Sequence, residues 1–214
     1  YNLWASDYDS FDNPLVAMSV VAMSELLSTV RGASVAELGC GTGRNAESLL
    51  QAGASSYLGI DGSVGMIERA RARGLQRASF QVADLLQMET HGHGPFDLVL
   101  VCLVIEHMIH AHPVLRAASS LLRPGGRLAL YELDPSLHAS GVRAHFRSGD
   151  QELRLPSHCH DENELLDCLS CAGFSTEVVR HWTPSPEAIR SCSKLARYVE
   201  RPVLLEMQAI RRAE

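Results

Sequence analysis

The residues with chemical potential fall into a few short runs. Glu37-Leu38-Gly39-Cys40-Gly41-Thr42-Gly43 gathers an acid and three glycines into one loop. Glycines so spaced let the chain turn sharply and let a ligand reach the main chain with no Cβ in between. Asp61 comes about 20 residues later, where an acid can accept both hydroxyls of a ribose. Gly62 and Met66 follow it, then Asp84-Leu85, then Cys102-Leu103 and Glu106-His107. His107 and His138 are the candidate general bases, because imidazole alone titrates near neutrality without perturbation. Asp134 is a carboxylate substitute and His145 ranks behind them. Two phosphate-binding loops are excluded. The dinucleotide fingerprint needs a glycine three residues after its second one, and Arg44 stands there. The Walker loop needs Gly-Lys-Ser or Gly-Lys-Thr, which the chain lacks.

These runs sit at the ends of apolar segments. The pattern predicts strands over 34–38, 56–60, 77–82, 96–101, 127–132, 176–181 and 202–210, and helices over 44–51, 64–73, 112–122, 162–172 and 186–199. Short β-rich runs alternating with helical ones imply stacked β-α units and a mostly parallel sheet. In such a sheet ligands bind beyond the carboxyl ends of the strands, where the runs above lie. Residues 1–33 read as a helical cap with an aromatic start. Residues 133–161 read as a polar insertion between a strand and a helix, and a connection so long serves as a lid or binding element. The pair His158 and His160 fits either a metal pair or a strand with one exposed face.

Composition narrows the function further. Lys plus Arg number 19 and Asp plus Glu 25, giving a net charge of −6, which repels nucleic-acid backbones. No apolar run is long enough to span a bilayer. The six cysteines have no regular spacing and read as reduced thiols. With no basic-then-apolar leader at Tyr1, the expected location is the cytoplasm. The chain reads as one domain over 1–214, a monomer or homodimer.

Val35 to Gly43 resembles motif I of the class I S-adenosylmethionine-dependent methyltransferases. Gly59-Ile60-Asp61 with Met66 resembles their acidic motif II, and Ala83-Asp84-Leu85 their adenine-binding motif III. Phe96-Asp97-Leu98-Val99 and Leu121-Leu122-Arg123-Pro124-Gly125-Gly126 resemble the later motifs around strands four and five, so the likeness runs from 34 to 131 in order. It implies an α/β fold with a doubly wound, mostly parallel seven-stranded sheet of the Rossmann-like methyltransferase type. It implies S-adenosylmethionine as cofactor, held by Tyr8, Glu37, Gly39, Cys40, Gly41, Asp61, Gly62, Met66, Asp84, Leu85, Cys102 and Leu103. In that scheme Asp61 takes the ribose hydroxyls, Asp84 the adenine amino group and the Leu85 amide a ring nitrogen. Cys102 and Leu103 lie beside the methionine chain, while Tyr8 and Trp4 close over the cofactor or simply pack the N-terminal helix.

Ile105-Glu106-His107 resembles a subgroup that binds a divalent metal through two acids and a histidine. Leu103 stands where the first acid belongs, so no metal site is expected. The reading is a methyltransferase acting on a small-molecule acceptor at O, N or C, with no nucleic acid and no membrane as partner. The alternatives are a family member that uses the cofactor for non-methylating chemistry, or a non-catalytic partner subunit.

Overall fold

The computed structural model describes residues 8–10, 13–88, 93–143, 145–148 and 151–213. A 3-10 turn (Tyr8–Ser10) precedes α1 (Pro14–Ala22) and α2 (Ser24–Leu27). Asn13 starts α1 by accepting the Leu15 amide at 2.9 Å, and Pro14 brings a φ already suited to a helix. The chain then alternates through β1 (Ser34–Leu38), α3 (Arg44–Gln51), β2 (Ser56–Asp61), α4 (Val64–Ala72), β3 (Ala78–Val82) and β4 (Phe96–Cys102). A 3-10 turn (Ile105–His107), α5 (His112–Leu121) and β5 (Leu122–Leu133) complete the parallel part. The insertion folds as α6 (Pro135–Ala139) and a hairpin of β6 (His145–Ser148) with β7 (Gln151–Arg154). After α7 (Glu162–Cys171), β8 (Phe174–Trp182) and α8 (Pro186–Ser191), the chain makes a 3-10 turn (Ser193–Tyr198) and ends in β9 (Leu204–Arg211).

The strands form a seven-stranded sheet in the order β3-β2-β1-β4-β5-β9-β8. Pairings are parallel from β3 to β5, and β9 runs antiparallel to both β5 and β8. The apolar run of β4 is continuous because both of its faces are covered. Leu98, Leu100 and Cys102 face one core with α1, α3 and α8, while Val99 and Val101 face the other with α5 and α7. Among the described residues no helix is long and apolar enough to cross a membrane.

Beyond shifts of one or two residues at element ends, three features differ from the sequence reading. Strand five begins at Leu122 rather than at 127, because Leu122 already pairs with Phe96. The helix expected over 186–199 breaks at Cys192, whose extended backbone (φ −145°, ψ 103°) separates α8 from the 3-10 turn. Residues 158–160 form no strand, and His160 is instead buried with Nε2 on the Met108 carbonyl at 2.9 Å and Nδ1 on Glu164 at 3.0 Å. Trp4 lies outside the described residues.

Candidate functional site

A cavity of about 510 Å³ opens beyond the carboxyl ends of β1, β2 and β4. It is lined by Tyr8, Gly39, Gly41, Asp61, Gly62, Ser63, Met66, Asp84, Leu85, Cys102, Leu103, Val104, His107 and Met108. Its size suits a ligand of nucleoside dimensions, since small-molecule pockets run to about 300–1,000 Å³.

The floor is the loop after β1. Gly39 has φ +74°, a conformation open chiefly to glycine, and a Cβ there would come within 2.3 Å of Val104 Cγ2. The loop is thus interlocked with the turn that follows β4. Asp61, at the end of β2, fixes the loop from the side. One of its oxygens accepts the Gly41 amide at 2.9 Å and the other accepts the Ser63 amide at 2.8 Å. Burial pushes the Asp61 carboxyl above its ordinary range, and these two amides hold it down in part. Ser63 caps α4 by accepting the Met66 amide, which explains how Gly62, Ser63 and Met66 reach the wall together.

The other wall is the segment Leu103–Met108. Leu103 has φ +59°, a left-handed conformation that costs a branched residue about 1–2 kcal/mol. Glu132, on β5, accepts the amides of Val104 and Ile105, both at 2.9 Å, and so holds the turn. His107 places Nδ1 2.9 Å from the Pro156 carbonyl. A carbonyl only accepts, so Nδ1 carries the proton and Nε2 the lone pair.

The roof carries Tyr8. Burial drives its phenol up to about 12, so it acts as a neutral donor or as a cover. Asp9 ties this segment down by accepting the Thr42 hydroxyl at 2.6 Å and pairing with Arg73 at 2.5 Å. Among the described residues, the Arg44 Nε is buried with no hydrogen-bond partner. Its charge pulls down the Tyr8 phenol and the Cys102 thiol against the larger upward push of burial.

Three expected site residues stand apart from this cavity. Glu37 is 1% exposed and turns into the core, because strand alternation sets it on the α3 face of β1. There it accepts hydrogen bonds from Tyr57 Oη and from Asn45 at 2.7 Å. The Cys40 thiol packs over Gly59, where a Cβ would meet its sulfur at 2.7 Å. His138 is also displaced. Asp134 caps α6 by accepting the Ser136 amide. His138 then lines a separate small cavity with Glu106, Glu132 and His160. Its Nε2 meets Ser157 Oγ at 2.9 Å, and Ser157 in turn donates to Glu106 at 3.0 Å. His138 therefore does not line the larger cavity. Ser63, Val104 and Met108 escaped the sequence reading, although each adjoins a residue it named.

A methyltransferase-domain family model matches residues 36–128. A ubiquinone biosynthesis O-methyltransferase of Xanthomonas euvesicatoria is 32% identical over 134 residues, covering 60% of this chain and 55% of that protein. A namesake from Bordetella avium is 30% identical over 126 residues, covering 56% and 52%. The chain thus spans about half the length of these curated relatives. The crystal structure of an S-adenosylmethionine-dependent methyltransferase from Mesorhizobium loti superimposes with a TM-score of 0.76 at 25% identity, covering 91% of this chain and 98% of that one. Sheet order, cavity position and these likenesses define a class of Rossmann-like, cofactor-binding α/β proteins. Within it, the methyltransferase-domain match over residues 36–128 and the Mesorhizobium loti structure support a class I S-adenosylmethionine-dependent methyltransferase.

Proposed function

We propose that the chain methylates a hydroxyl group of a small-molecule acceptor, using S-adenosylmethionine held in the 510 Å³ cavity. The observation that carries this reading is one cavity holding two features: a carboxylate at the end of β2 and, on the facing segment, an imidazole whose Nδ1 meets the Pro156 carbonyl, leaving Nε2 as the acceptor nitrogen. The O-methyltransferase relatives support the choice of oxygen.

The residues present fit the cofactor. Asp61 retains acceptor capacity after binding the two loop amides, and can take ribose hydroxyls. Asp84 and Leu85 stand where an adenine edge would be read, and Gly39 and Gly41 let a ligand lie against the backbone. The bound cofactor supplies a methyl group already activated on a sulfonium.

The protein has two remaining tasks. It holds the acceptor in line, an effect that can supply about 7–11 kcal/mol of the barrier. His107 Nε2 then takes the proton of the acceptor hydroxyl as the new C–O bond forms. Glu106, buried with Oε1 3.8 Å from that nitrogen, steadies the imidazolium. The test pairs isothermal calorimetry of the demethylated cofactor product with methyl transfer to a panel of phenols and alcohols. His107→Ala should keep product affinity and lose about 10²–10⁴-fold in turnover across pH 6 to 9, the usual cost of a general base. A loss below tenfold with the parental pH profile would remove the base and leave a positioning enzyme.

A further inference from the structure

The amides that β4 can no longer pair are collected by one buried side chain. The Leu103 amide makes the last bond to the neighbouring strand, donating to the Tyr131 carbonyl at 2.8 Å. Beyond it, the amides of Val104 and Ile105 donate to Glu132 Oε1, both at 2.9 Å, and the Glu106 amide donates to Oε2 at 3.4 Å. Glu132 is 4% exposed, so without it these amides would be stranded away from water, and buried donors left unpaired are costly.

The geometry points to Glu132 as the positioning residue of the reaction, its carboxylate shaping the Leu103–Met108 turn that carries His107 and meets the glycine loop through Val104. This rests on the reading that the cavity holds the cofactor. The turn is not self-supporting. It starts at Leu103 with φ +59°, and its first internal bond is from the His107 amide to the Val104 carbonyl at 3.0 Å. Val104 sits against Gly39 so closely that the two positions must move together. A shift of the turn would therefore be felt at both the cofactor loop and the imidazole.

An apolar residue would fill the same volume and spare the burial of an acid, but it would leave the three amides without an acceptor. The acid is explained by the amides it collects. Glu106 from the turn, His138 from α6, and His158, Cys159 and His160 from the returning leg of the insertion line the small cavity it faces. Burial and the neighbouring Glu106 raise Glu132 to about 8, against the pull of the three amides. Its ionised form, the stronger acceptor, grows as pH rises through that value.

The test compares E132L and E132Q with the parent by three readouts: affinity for S-adenosylhomocysteine, amide exchange at 104–106, and the pH titration of the His107 ring by NMR. E132L should weaken binding by tenfold or more, speed exchange at 104–106 relative to the central strands, and shift the His107 titration. E132Q keeps one oxygen for Val104 and Ile105, so it should recover most of the affinity. A folded E132L with parental affinity, or with parental exchange at 104–106, overturns the assignment. Should E132L fail to fold, E132Q decides by its Glu106 amide, which must exchange faster than in the parent where the side-chain amide now opposes it, and parental exchange there overturns the assignment. If the parent itself binds no S-adenosylhomocysteine, the cofactor reading fails, and exchange with the His107 titration still settles the role of Glu132.

Discussion

The Asp61 carboxylate already holds the Gly41 and Ser63 amides before any ligand arrives. Asp61→Ala should therefore lower stability by about 1–2 kcal/mol, as a buried amide loses its partner, and weaken S-adenosylhomocysteine by about 1.5–3 kcal/mol, the scale of a hydrogen bond to a charged group. Calorimetry and thermal unfolding on one sample check both, and parental affinity in a folded variant would refute the assignment of Asp61. Glu37 makes the opposite forecast. Burial raises its carboxyl from 4.5 to about 7, with the Tyr57 and Asn45 hydrogen bonds opposing the shift. Between those values the native state keeps a proton that the unfolded chain has lost, so stability falls as pH climbs from 4.5 to 7. The swing is on the order of 3 kcal/mol at about 1.36 kcal/mol per pKa unit. Glu37→Gln should flatten it while leaving S-adenosylhomocysteine affinity within about threefold of the parent, which denaturant unfolding at several pH values and calorimetry will show. A cofactor contact from Glu37 would break the second half of that statement.

Elements decide which sequence readings carry over to the structure. The continuous apolar run of β4 and the glycines after β1 were legible because burial on both faces and a sharp turn each demand particular residue types. The start of β5 was not, since Pro124-Gly125-Gly126 reads as a stop although the sheet pairing already begins at Leu122. His138 misled for a related reason. Its distance from the strand end was visible, but the small cavity its side chain enters, beside Ser157 and Glu106, was not. Glu132 reads as one more polar residue at a strand end until the three amides around it are seen. The N-terminal turn was legible only as a cap. Its attachment through Asp9 to Thr42 and Arg73 joins positions far apart in sequence. That attachment carries its own forecast. Asp9→Ala should speed S-adenosylhomocysteine release in stopped-flow measurements, by roughly three- to tenfold if the latch is worth about 1 kcal/mol, typical of a partly exposed pair, with association little changed. Unchanged release would make the turn a passive cover.

Across the molecule, the sheet supplies the base, and the proposed acceptor side is assembled from pieces added to it. The insertion is not uniform. Its returning leg is fastened to the β4 turn, with the His158 amide donating to the Glu106 carbonyl at 2.7 Å and His160 Nε2 to the Met108 carbonyl at 2.9 Å. Among the described residues, the β6–β7 hairpin that precedes this leg is a two-stranded sheet, and isolated two-stranded ladders are marginal in water. The two parts should therefore separate in hydrogen exchange. The His158 amide should exchange on the slow timescale of β1 and β4, whereas the ladder amides of β6 and β7 should exchange orders of magnitude faster. Adding S-adenosylhomocysteine should slow the 103–108 turn and the 157–160 leg together, because they share bonds, and should leave the hairpin fast until an acceptor is also present. An acceptor that slows the hairpin would identify it as the moving cover of the site. A hairpin already as protected as the central strands, with or without ligand, would show that the acceptor enters a preformed pocket and that no part of the insertion gates it.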